Sequence, residues 1–457
     1  MDKHVLMEKL AREAFEKAGF AGTWLYAENG EIVSKGAVGM NGAAGTEPIR
    51  EDMVFDLGSV SKQFTATAIM LLRRDGLLSL EDEIAKFFPE IPYRGVTIRH
   101  LLNHTGGLPD FMDWFDALWK KEGRIPNNAT IVRFLCECGE PAVFSPGEKW
   151  EYSNTGYCLL AQIAEAVSGL PFEDLLRDRL FEPAGMHETR VYHRRMDALT
   201  IPNLAWGLML PFGSDQYALP DEVEEESEVL SCDGMSGPAL VHSNVFDLLA
   251  WDRALREGKI LTEEEQALMF TPAKLNSGED AVYDEDEGLS YGFGWATGRD
   301  EKFGLVVSHG GSWPGYDTWY ERFIDADRVL ILLRCHDARD GKAYDAFFEG
   351  LRAVARGKEP APVRTLEELA VREPDKSGWE RFCGKYDYSC EDIIKIDEIY
   401  RKDGALYANM SYEGTGCAFR LYPLEDGSFG MKPYIGTIRF GDGTLTLWGE
   451  TGKKLEE

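Results

Sequence analysis

A serine and a lysine three residues apart stand directly before a long apolar segment, and this arrangement constrains the chain most. Ser59-Val60-Ser61-Lys62 follows Gly58, and residues 63 to 72 are mostly apolar with no Gly or Pro. That pattern predicts a buried helix, with Gly58 in the turn that leads into it. Since residues three apart share a helix face, Ser59 and Lys62 project side by side from its first turn.

This pair has the chemistry of an activated nucleophile. A serine hydroxyl needs a neighbouring group to take its proton, and a desolvated lysine can serve because burial disfavours its charged form. The free N–H groups at the helix start favour negative charge where an oxyanion would form. Ser61 is a poor alternative because its lysine is the next residue and points elsewhere. The alternative for Ser59 itself is a capping serine with a lysine that reaches solvent.

Two further motifs follow along the chain. Tyr152-Ser153-Asn154 precedes a helix-like segment at residues 156 to 167, so a loop at a helix start carries it. His309-Gly310-Gly311 lies between strand-like residues 303 to 308 and 316 to 320, and its glycines allow a substrate backbone to approach closely. Other triplets with these patterns are in less suitable places, namely Tyr407-Ala408-Asn409, Lys376-Ser377-Gly378 and His104-Thr105-Gly106.

In this order the three motifs resemble those of the serine β-lactamase and penicillin-binding-protein superfamily. The Tyr-x-Asn form is similar to class C β-lactamases and their esterase and D-aminopeptidase relatives. Residues 101 to 108, Pro146-Gly147 and residues 291 to 295 also look like that family, and the resemblance covers roughly residues 15 to 350. It implies an α/β three-layer sandwich of the β-lactamase/transpeptidase type with a helical insertion.

The resemblance also implies roles for the motif residues. Ser59 would be the acylated nucleophile, and Lys62 and Tyr152 would together remove its proton and return it to the leaving group. A tyrosine titrates near pH ~10, so this role requires cationic or hydrogen-bonding partners that favour the phenolate. Asn154 would hold Lys62 and a substrate amide.

The third motif would supply the opposite wall of the cleft. His309 would lie beside Tyr152 on an edge strand, and the oxyanion hole would be the backbone N–H groups of Ser59 and Ser312, the latter directly after Gly310 and Gly311. Many family members carry Lys where His309 stands, and a histidine is mostly neutral near pH 7. This departure weakens the case for a carboxylate-bearing β-lactam as substrate.

Competing site patterns have simpler explanations. Residues 288 to 292 match the G-x-S-x-G elbow but lack a preceding strand and a following helix, so we interpret them as a loop. His100 and His104 have zinc-pair spacing but no Glu or third ligand, which favours capping or packing roles. The acidic run at residues 221 to 228 lacks alternating calcium ligands and favours a solvated loop. We therefore expect no metal and no cofactor.

Charge and hydropathy exclude several partners. A formal charge of −30 opposes binding to nucleic acid or anionic membranes, and no segment is apolar enough to insert in a bilayer. The N-terminal residues predict a charged amphipathic helix rather than a signal peptide, and the 8 cysteines are then expected to be reduced thiols. These features predict a cytoplasmic protein. Its oligomeric state is not readable.

The chain predicts two domains. Residues 1–355 form the hydrolase domain, beginning with a β-hairpin around Asn29-Gly30, and residues 356–378 form a linker. In residues 379–457, turn pairs such as Asp403-Gly404 and Asp442-Gly443 separate short apolar segments, which predicts a small antiparallel β-barrel. It resembles the lipocalin-like domain of some family members, where that domain can border the cleft and restrict substrate size.

We therefore expect a serine hydrolase that acts on an ester or amide of a small molecule or short peptide through a Ser59 acyl-enzyme. β-Lactams, D-amino acid amides, muropeptides and short acyl esters all stay open as substrates. Alternatives are a penicillin-binding-like protein with little turnover and a non-catalytic scaffold. Trp313, Tyr316 and Trp319 line a subsite or pack between strands, and we favour packing.

Overall fold

The computed structural model describes residues 2–42, 45, 47–198, 200–223, 226–390, 393–412 and 414–455. Residues 224 and 225 of the acidic run, and 391, 392, 413, 456 and 457 of the predicted barrel domain, lie outside the described residues. Within these ranges, no helix is both long and apolar enough to cross a bilayer.

The strands are, in chain order, β1 (Gly22–Glu28), β2 (Glu31–Val38), β3 (Met40–Asn41), β4 (Glu47–Pro48), β5 (Phe55–Asp56), β6 (Arg190–Val191), β7 (Val241–Ser243), β8 (Val282–Asp284), β9 (Leu289–Tyr291), β10 (Ala296–Asp300), β11 (Gly304–Trp313), β12 (Tyr316–Phe323), β13 (Arg328–Arg334), β14 (Gly384–Cys390), β15 (Ile394–Lys402), β16 (Ala405–Tyr412), β17 (Thr415–Pro423), β18 (Phe429–Gly430), β19 (Thr437–Phe440), β20 (Thr444–Leu447) and β21 (Glu450–Lys454).

The α-helices are α1 (Lys3–Ala18), α2 (Lys62–Arg74), α3 (Ile98–Leu102), α4 (Met112–Glu122), α5 (Ala129–Glu137), α6 (Asn154–Ser168), α7 (Phe172–Leu176), α8 (Glu182–Ala184), α9 (Glu228–Ser231), α10 (Val245–Arg256), α11 (Glu263–Phe270), α12 (Gly341–Ala355) and α13 (Leu366–Leu369). Short 3₁₀ helices span Gly58–Ser61, Ile84–Lys86, Pro220–Glu222 and Trp379–Phe382, and a π-helical turn spans Arg177–Phe181.

A large antiparallel sheet, built from strands near both ends of residues 1–355, forms the middle layer. Its strand order is β2-β1-β13-β12-β11-β10-β9-β8. The first hairpin turns at Asn29 (φ 50°) and Gly30 (φ 73°), the left-handed pair that a two-residue hairpin turn requires. This confirms that the hairpin joins the strands near residue 330 in one sheet, with β1 paired to β13.

Helices cover both faces of this sheet. Side chains alternate along each strand, so Trp24, Tyr26, Leu330 and Leu332 pack with α1 and α12 on one face, whereas Leu25 and Ile331 join the core formed with α2, α6 and α10 on the other. The helix α2 is buried from Lys62 to Leu72 and packs against α6. The predicted three-layer α/β fold is confirmed.

The last strands close into a barrel of order β14-β15-β16-β17-β18-β19-β20-β21, with its own apolar core. The turn between β15 and β16 is Asp403 (φ 50°) and Gly404 (φ 74°), as its sequence predicts. The predicted β-barrel is therefore confirmed. The division into residues 1–355, 356–378 and 379–457 stays a prediction.

One local prediction is wrong. Residues 288 to 292 are not all loop, because Leu289–Tyr291 form β9, which pairs with both β8 and β10. A nucleophile elbow is still excluded, since β9 is followed by a turn and by β10 rather than by a helix.

Candidate active site

Ser59 and Lys62 lie side by side at the start of the buried helix α2. Ser59 is in the 3₁₀ turn Gly58–Ser61, which continues directly into α2 at Lys62. The Lys62 Nζ donates to Ser59 Oγ over 2.9 Å. Ser61 points away from this pair, and its Oγ accepts the backbone N–H of Val241 at 3.1 Å. The pair has the reach that a nucleophile and its base require.

The ammonium of Lys62 is held in a desolvated site. Its side chain has 0% exposure, and Nζ also donates to Asn154 Oδ1 at 2.9 Å and to the carbonyl of Pro238 at 3.0 Å. Burial lowers the pKa of Lys62 to about 7, while the Cys158 thiol beside it acts in the opposite direction. About half of the lysines are therefore neutral at pH 7, which is the form that can accept a proton.

Tyr152 covers the other side of the Lys62 ammonium. Nζ lies 4.6 Å from the centre of the tyrosine ring, close enough for a cation–π contact. Burial nevertheless raises the pKa of Tyr152. The interaction with the Ser59 hydroxyl lowers the same pKa, but by less than burial raises it. The phenol is therefore protonated at neutral pH, and the expected cationic partner does not produce a resting phenolate.

A histidine that the motif analysis set aside fixes the Tyr152 loop. His104, which has a left-handed backbone (φ 61°), accepts the Ser153 N–H at its Nδ1 over 3.1 Å. Its ring lies 4.4 Å from that of Tyr152 and 4.7 Å from that of Tyr291. Burial, followed by the charge of Lys62, lowers the pKa of His104 well below its usual range, so it acts as a neutral support.

The neighbouring His100 caps a helix instead of binding metal. Its Nδ1 accepts the Thr97 backbone N–H at 3.1 Å, and the backbone N–H of His100 donates to Thr97 Oγ1. Among the residues that the structure describes, no group of three or more His, Cys, Asp or Glu side chains could hold a metal ion.

His309 is also neutral. It is 2% exposed, its Nδ1 donates to the carbonyl of Gly310 at 2.6 Å, and its Nε2 accepts the Tyr291 hydroxyl at 2.9 Å. Burial lowers the pKa of His309 to about 3, assisted by the charge of Lys62. The position where many relatives carry a cation therefore has no positive charge here at pH 7.

The nucleophile turn and strand β11 meet without space for side chains. A Cβ on Gly58 (φ 50°) would lie 2.8 Å from the Ser312 backbone N, and a Cβ on Gly311 would lie 2.0 Å from the carbonyl O of Leu57. The glycines therefore allow the turn that precedes Ser59 to lie directly against the backbone at Gly311 and Ser312.

Two cavities meet at Ser59. We call the first the Tyr152-side cavity, because it contains Tyr152 and His309, and its large apolar lining is Trp150, Tyr283, Trp319, Tyr344, Phe348 and Ile435. The second, the Asn154-side cavity, contains Asn154 and is lined by Phe111, Met112, Met209, Met235 and Trp313. Ser59 and Ser312 line both cavities, so a ligand bound across Ser59 would extend into each of them.

Carboxylates outnumber cations along these walls. The Tyr152-side cavity contains Asp317 and Asp345, and the Asn154-side cavity contains Glu226, Glu228 and Asp337. The guanidinium that lines the latter belongs to Arg334, whose Nη2 lies 3.2 Å from Asp317 Oδ2. The cleft is consequently more favourable for neutral or cationic ligands than for anions.

The structure brings all the sequence-predicted site residues together around Ser59, namely Lys62, Tyr152, Asn154, His309, Gly310, Gly311 and Ser312. Sequence reasoning missed the supporting roles of His104, Tyr291 and the Pro238 carbonyl. Of the aromatic residues in doubt, Tyr316 donates its hydroxyl to the carbonyl of Ala205 at 2.6 Å and also lines the Asn154-side cavity. Trp313 and Trp319 each line one of the cavities.

Comparison with known proteins agrees with this arrangement. The sequence profile of the family described as beta-lactamase matches residues 7–345. Penicillin-binding protein 4* of Bacillus subtilis is 41% identical over 385 residues, which cover 84% of this chain and 83% of that protein.

Solved structures with the same fold include two from other species. The octameric penicillin-binding protein homologue from Pyrococcus abyssi has a TM-score of 0.66 at 21% identity, over 99% of this chain and 100% of its own. The D-amino acid amidase from Ochrobactrum anthropi SV3 has a TM-score of 0.63 at 23% identity, over 78% of this chain and 99% of its own. With a family match over most of its length and a close relative of similar extent, the chain belongs to the beta-lactamase family, in the superfamily of serine β-lactamases and penicillin-binding proteins.

Proposed function

We propose that this protein hydrolyses an ester or amide through an acyl-enzyme on Ser59. The contact that carries the proposal is the 2.9 Å hydrogen bond from Lys62 Nζ to Ser59 Oγ, made by a fully buried lysine that is half neutral at pH 7. A non-catalytic scaffold has no need for this pair. The cost of burying an ammonium argues for a lysine that uses its neutral form.

In the proposed reaction, neutral Lys62 accepts the Ser59 proton as Oγ attacks the carbonyl carbon. The oxyanion that forms is bound by the N–H groups of Ser59 and Ser312. As the bond to the leaving group breaks, Tyr152 gives its hydroxyl proton to the leaving atom and takes one from the Lys62 ammonium. Water then attacks the acyl-enzyme by the same steps in reverse. Asn154 keeps Lys62 in place through the 2.9 Å bond at its Oδ1.

The lining of the cleft supports a class of substrate. A proton donor must lie on the leaving-group side, and Tyr152 lines the cavity that contains Trp319, Phe348 and Ile435. We therefore infer that the leaving group is apolar or aromatic and neutral or cationic. Since His309 is neutral and carboxylates surround the cleft, a β-lactam with a free carboxylate is a poor substrate. Amides of amino acids and aryl esters both satisfy these conditions.

The barrel has a proposed role in the same cavity. The carbonyl of Pro433 accepts the N–H of Gly341 at the start of α12 over 2.8 Å, and the nearby Ile435 lines the Tyr152-side cavity. We infer that residues 379–457 act as a lipocalin-like domain that limits the size of the leaving group. The domain boundaries given above and a cytoplasmic location complete the proposal.

The test is intact-protein mass spectrometry after incubation with a fluorophosphonate, a penicillin and a D-alanyl amide, with Ser59→Ala as the matched control. We expect a Ser59-dependent adduct with the fluorophosphonate and turnover of the neutral or cationic substrate. An acyl adduct from the penicillin or the D-alanyl amide that persists for hours would instead indicate a penicillin-binding-like protein with little turnover. No adduct with any reagent on folded protein would refute the hydrolase proposal.

A further inference from the structure

A buried carboxylate and a buried imidazole lie directly behind the nucleophile turn, and the proposed chemistry uses neither. Asp56 ends β5 and is 2% exposed, and His242 is 3% exposed. His242 lies opposite Asp56 on the paired strand β7. Asp56 Oδ1 accepts the backbone N–H of Gly58 at 2.8 Å, and its Oδ2 lies 3.7 Å from His242 Nε2. One carboxylate therefore contacts both the nucleophile turn and a second strand.

The hydrogen bond from Gly58 is one of three that hold the peptide units before Ser59 in place. The Leu57 N–H donates to the carbonyl of Val241 at 2.9 Å, and the Leu57 carbonyl accepts the Thr318 hydroxyl at 2.7 Å. Gly58 is in the left-handed region at φ 50°. Because the position of the Ser59 N–H depends on the peptide unit that follows Gly58, fixing the Gly58 N–H constrains one of the two oxyanion donors.

His242 directs a ring nitrogen toward the carboxylate. Its Nδ1 lies 3.2 Å from the carbonyl O of Leu240, and a carbonyl can only accept, so Nδ1 carries hydrogen. Nε2 then faces Asp56 Oδ2 at 3.7 Å, which is longer than a hydrogen bond. The backbone N–H of Gly58 is therefore the closer partner of this carboxylate.

Other titratable and charged groups surround the pair. Asp233 and Arg195 form an ion pair at 3.0 Å and, with Arg194 and Tyr316, line a small cavity next to Asp56 and His242. The Tyr192 ring lies 5.2 Å from that of His242. Burial raises the pKa of Asp56, whereas His242 and the Gly58 N–H act in the opposite direction. The Asp56 carboxyl therefore interacts with several neighbouring polar and charged groups.

The segment that leads into β7, the strand of His242, also contacts Lys62. In the segment just before His242, the Pro238 carbonyl accepts from Lys62 Nζ at 3.0 Å, and the Val241 N–H donates to Ser61 Oγ at 3.1 Å. The Asp56–His242 contact thus joins the turn that presents Ser59 to the segment that holds its base.

We propose that the buried Asp56 carboxylate, which has His242 beside it on β7, positions the oxyanion-binding N–H of Ser59 through its hydrogen bond from Gly58. Asp56 is a positioning residue, since it does not touch the reacting atoms. The inference rests on the proposed role of Ser59 as nucleophile, and it assigns the buried carboxylate a part in binding the tetrahedral intermediate rather than in proton transfer.

Two substitutions of Asp56 separate positioning from charge. In Asp56→Asn, the amide oxygen can still accept from Gly58, so the hydrogen bond is kept while the charge is removed. In Asp56→Ala the Gly58 N–H is left without its acceptor. Asp247→Ala is the matched control, because Asp247 is a buried carboxylate that accepts a backbone N–H at 2.8 Å from Glu188 instead.

The experiment measures kcat, KM and the affinity for benzeneboronic acid, which forms a tetrahedral adduct on a serine and so uses the oxyanion hole. For Asp56→Ala we expect kcat to fall roughly 100-fold, as for loss of an oxyanion donor, with KM within about threefold and boronic acid affinity reduced in parallel. Asp56→Asn and Asp247→Ala should stay within about fivefold of wild type, since their oxyanion hole is intact. Near-ultraviolet circular dichroism verifies folding.

A second measurement on the wild-type protein does not depend on a variant that folds. Amide hydrogen exchange of the ¹⁵N-labelled protein should show a strongly protected Gly58 N–H, because Asp56 Oδ1 accepts it in the buried turn. A rapidly exchanging Gly58 N–H would overturn the proposal, and so would Asp56→Ala activity equal to that of Asp247→Ala or Asp56→Asn activity as low as that of Asp56→Ala. If Ser59 of the wild-type protein does not become acylated, the proposed function is refuted instead.

Discussion

Asn154→Asp changes one uncharged oxygen next to the catalytic lysine into a charged one, and it tests whether neutral Lys62 is the base. The amide oxygen lies 2.9 Å from Lys62 Nζ, so the isosteric carboxylate would face the ammonium directly. Two unit charges at that distance attract by about 6 kcal/mol at an effective dielectric constant of about 20. Measured shifts for such neighbours are smaller, roughly 1–3 pKa units.

A shift of about 2 units would raise the Lys62 pKa from about 7 to about 9. The neutral fraction at pH 7 then falls from about one half to about one in a hundred, so acylation slows roughly 50-fold at pH 7 but only about twofold at pH 9. In the wild type, acylation rises as the pH rises through about 7, because Lys62 loses its proton there. Acylation is lost as the pH falls below about 7, because Lys62 is then protonated.

The assay is the second-order rate of fluorophosphonate labelling of Ser59 between pH 5 and 10. This reagent has no amide for Asn154 to contact, so loss of a substrate contact at Asn154 does not contribute to the measured labelling rate. Asn154→Leu serves as the control, since it removes the hydrogen bond without adding charge and should leave the midpoint at or below that of wild type. A midpoint that stays near 7 in Asn154→Asp, with a loss equal at every pH, would refute Lys62 as the base.

Four further substitutions test other parts of the site. Tyr152→Phe should slow amide acylation by roughly 10²–10⁴ and acylation by aryl esters, whose leaving group needs no proton, much less; equal losses in kcat/KM for both substrates would contradict a proton-donating role. His309→Lys should raise penicillin labelling relative to a neutral ester by about tenfold, as one charge-assisted hydrogen bond would, and an unchanged ratio would argue against a charge effect. Gly311→Ala would place a Cβ 2.0 Å from the Leu57 O and should reduce Ser59 labelling by at least roughly 100-fold, without loss of the far-ultraviolet spectrum. Ile435→Trp should lower kcat/KM for bulky aryl leaving groups by about tenfold and leave methyl esters unaffected; equal effects on both would mean that the barrel does not limit leaving-group size.

The parts of the site that depend on local geometry could be predicted from sequence. Ser59 and Lys62 are three residues apart on a helix start, so their proximity follows from helix geometry alone. The glycines of the third motif predict a close approach of a substrate backbone, which stays a prediction; at Gly311 the backbone that lies close is that of Leu57. The barrel was predictable for the same reason, because Asp403-Gly404 fits a tight hairpin turn.

Other contacts depend on the tertiary fold. His104 was read as a packing residue, but its Nδ1 bond to Ser153 requires two segments that the sequence separates by many residues. The Asp56–His242 pair forms only because β5 and β7 adjoin. The strand β9 was missed because it is short and flanked by acidic residues and glycines, so it lacks the apolar alternation that marks a strand.

The electrostatics of the site account for the assignment of Lys62 rather than Tyr152 as the base. Burial lowers the pKa of Lys62 to about 7 and raises the pKa of Tyr152, so at neutral pH the lysine can accept a proton and the phenol can donate one. His309 does not alter this balance, because it is uncharged at the same pH. In the proposed mechanism, stabilisation of the oxyanion then depends on fixed backbone dipoles, which act in a desolvated cleft without reorganising. A site built in this way should depend more on the placement of Gly58 and Ser312 than on any formal positive charge.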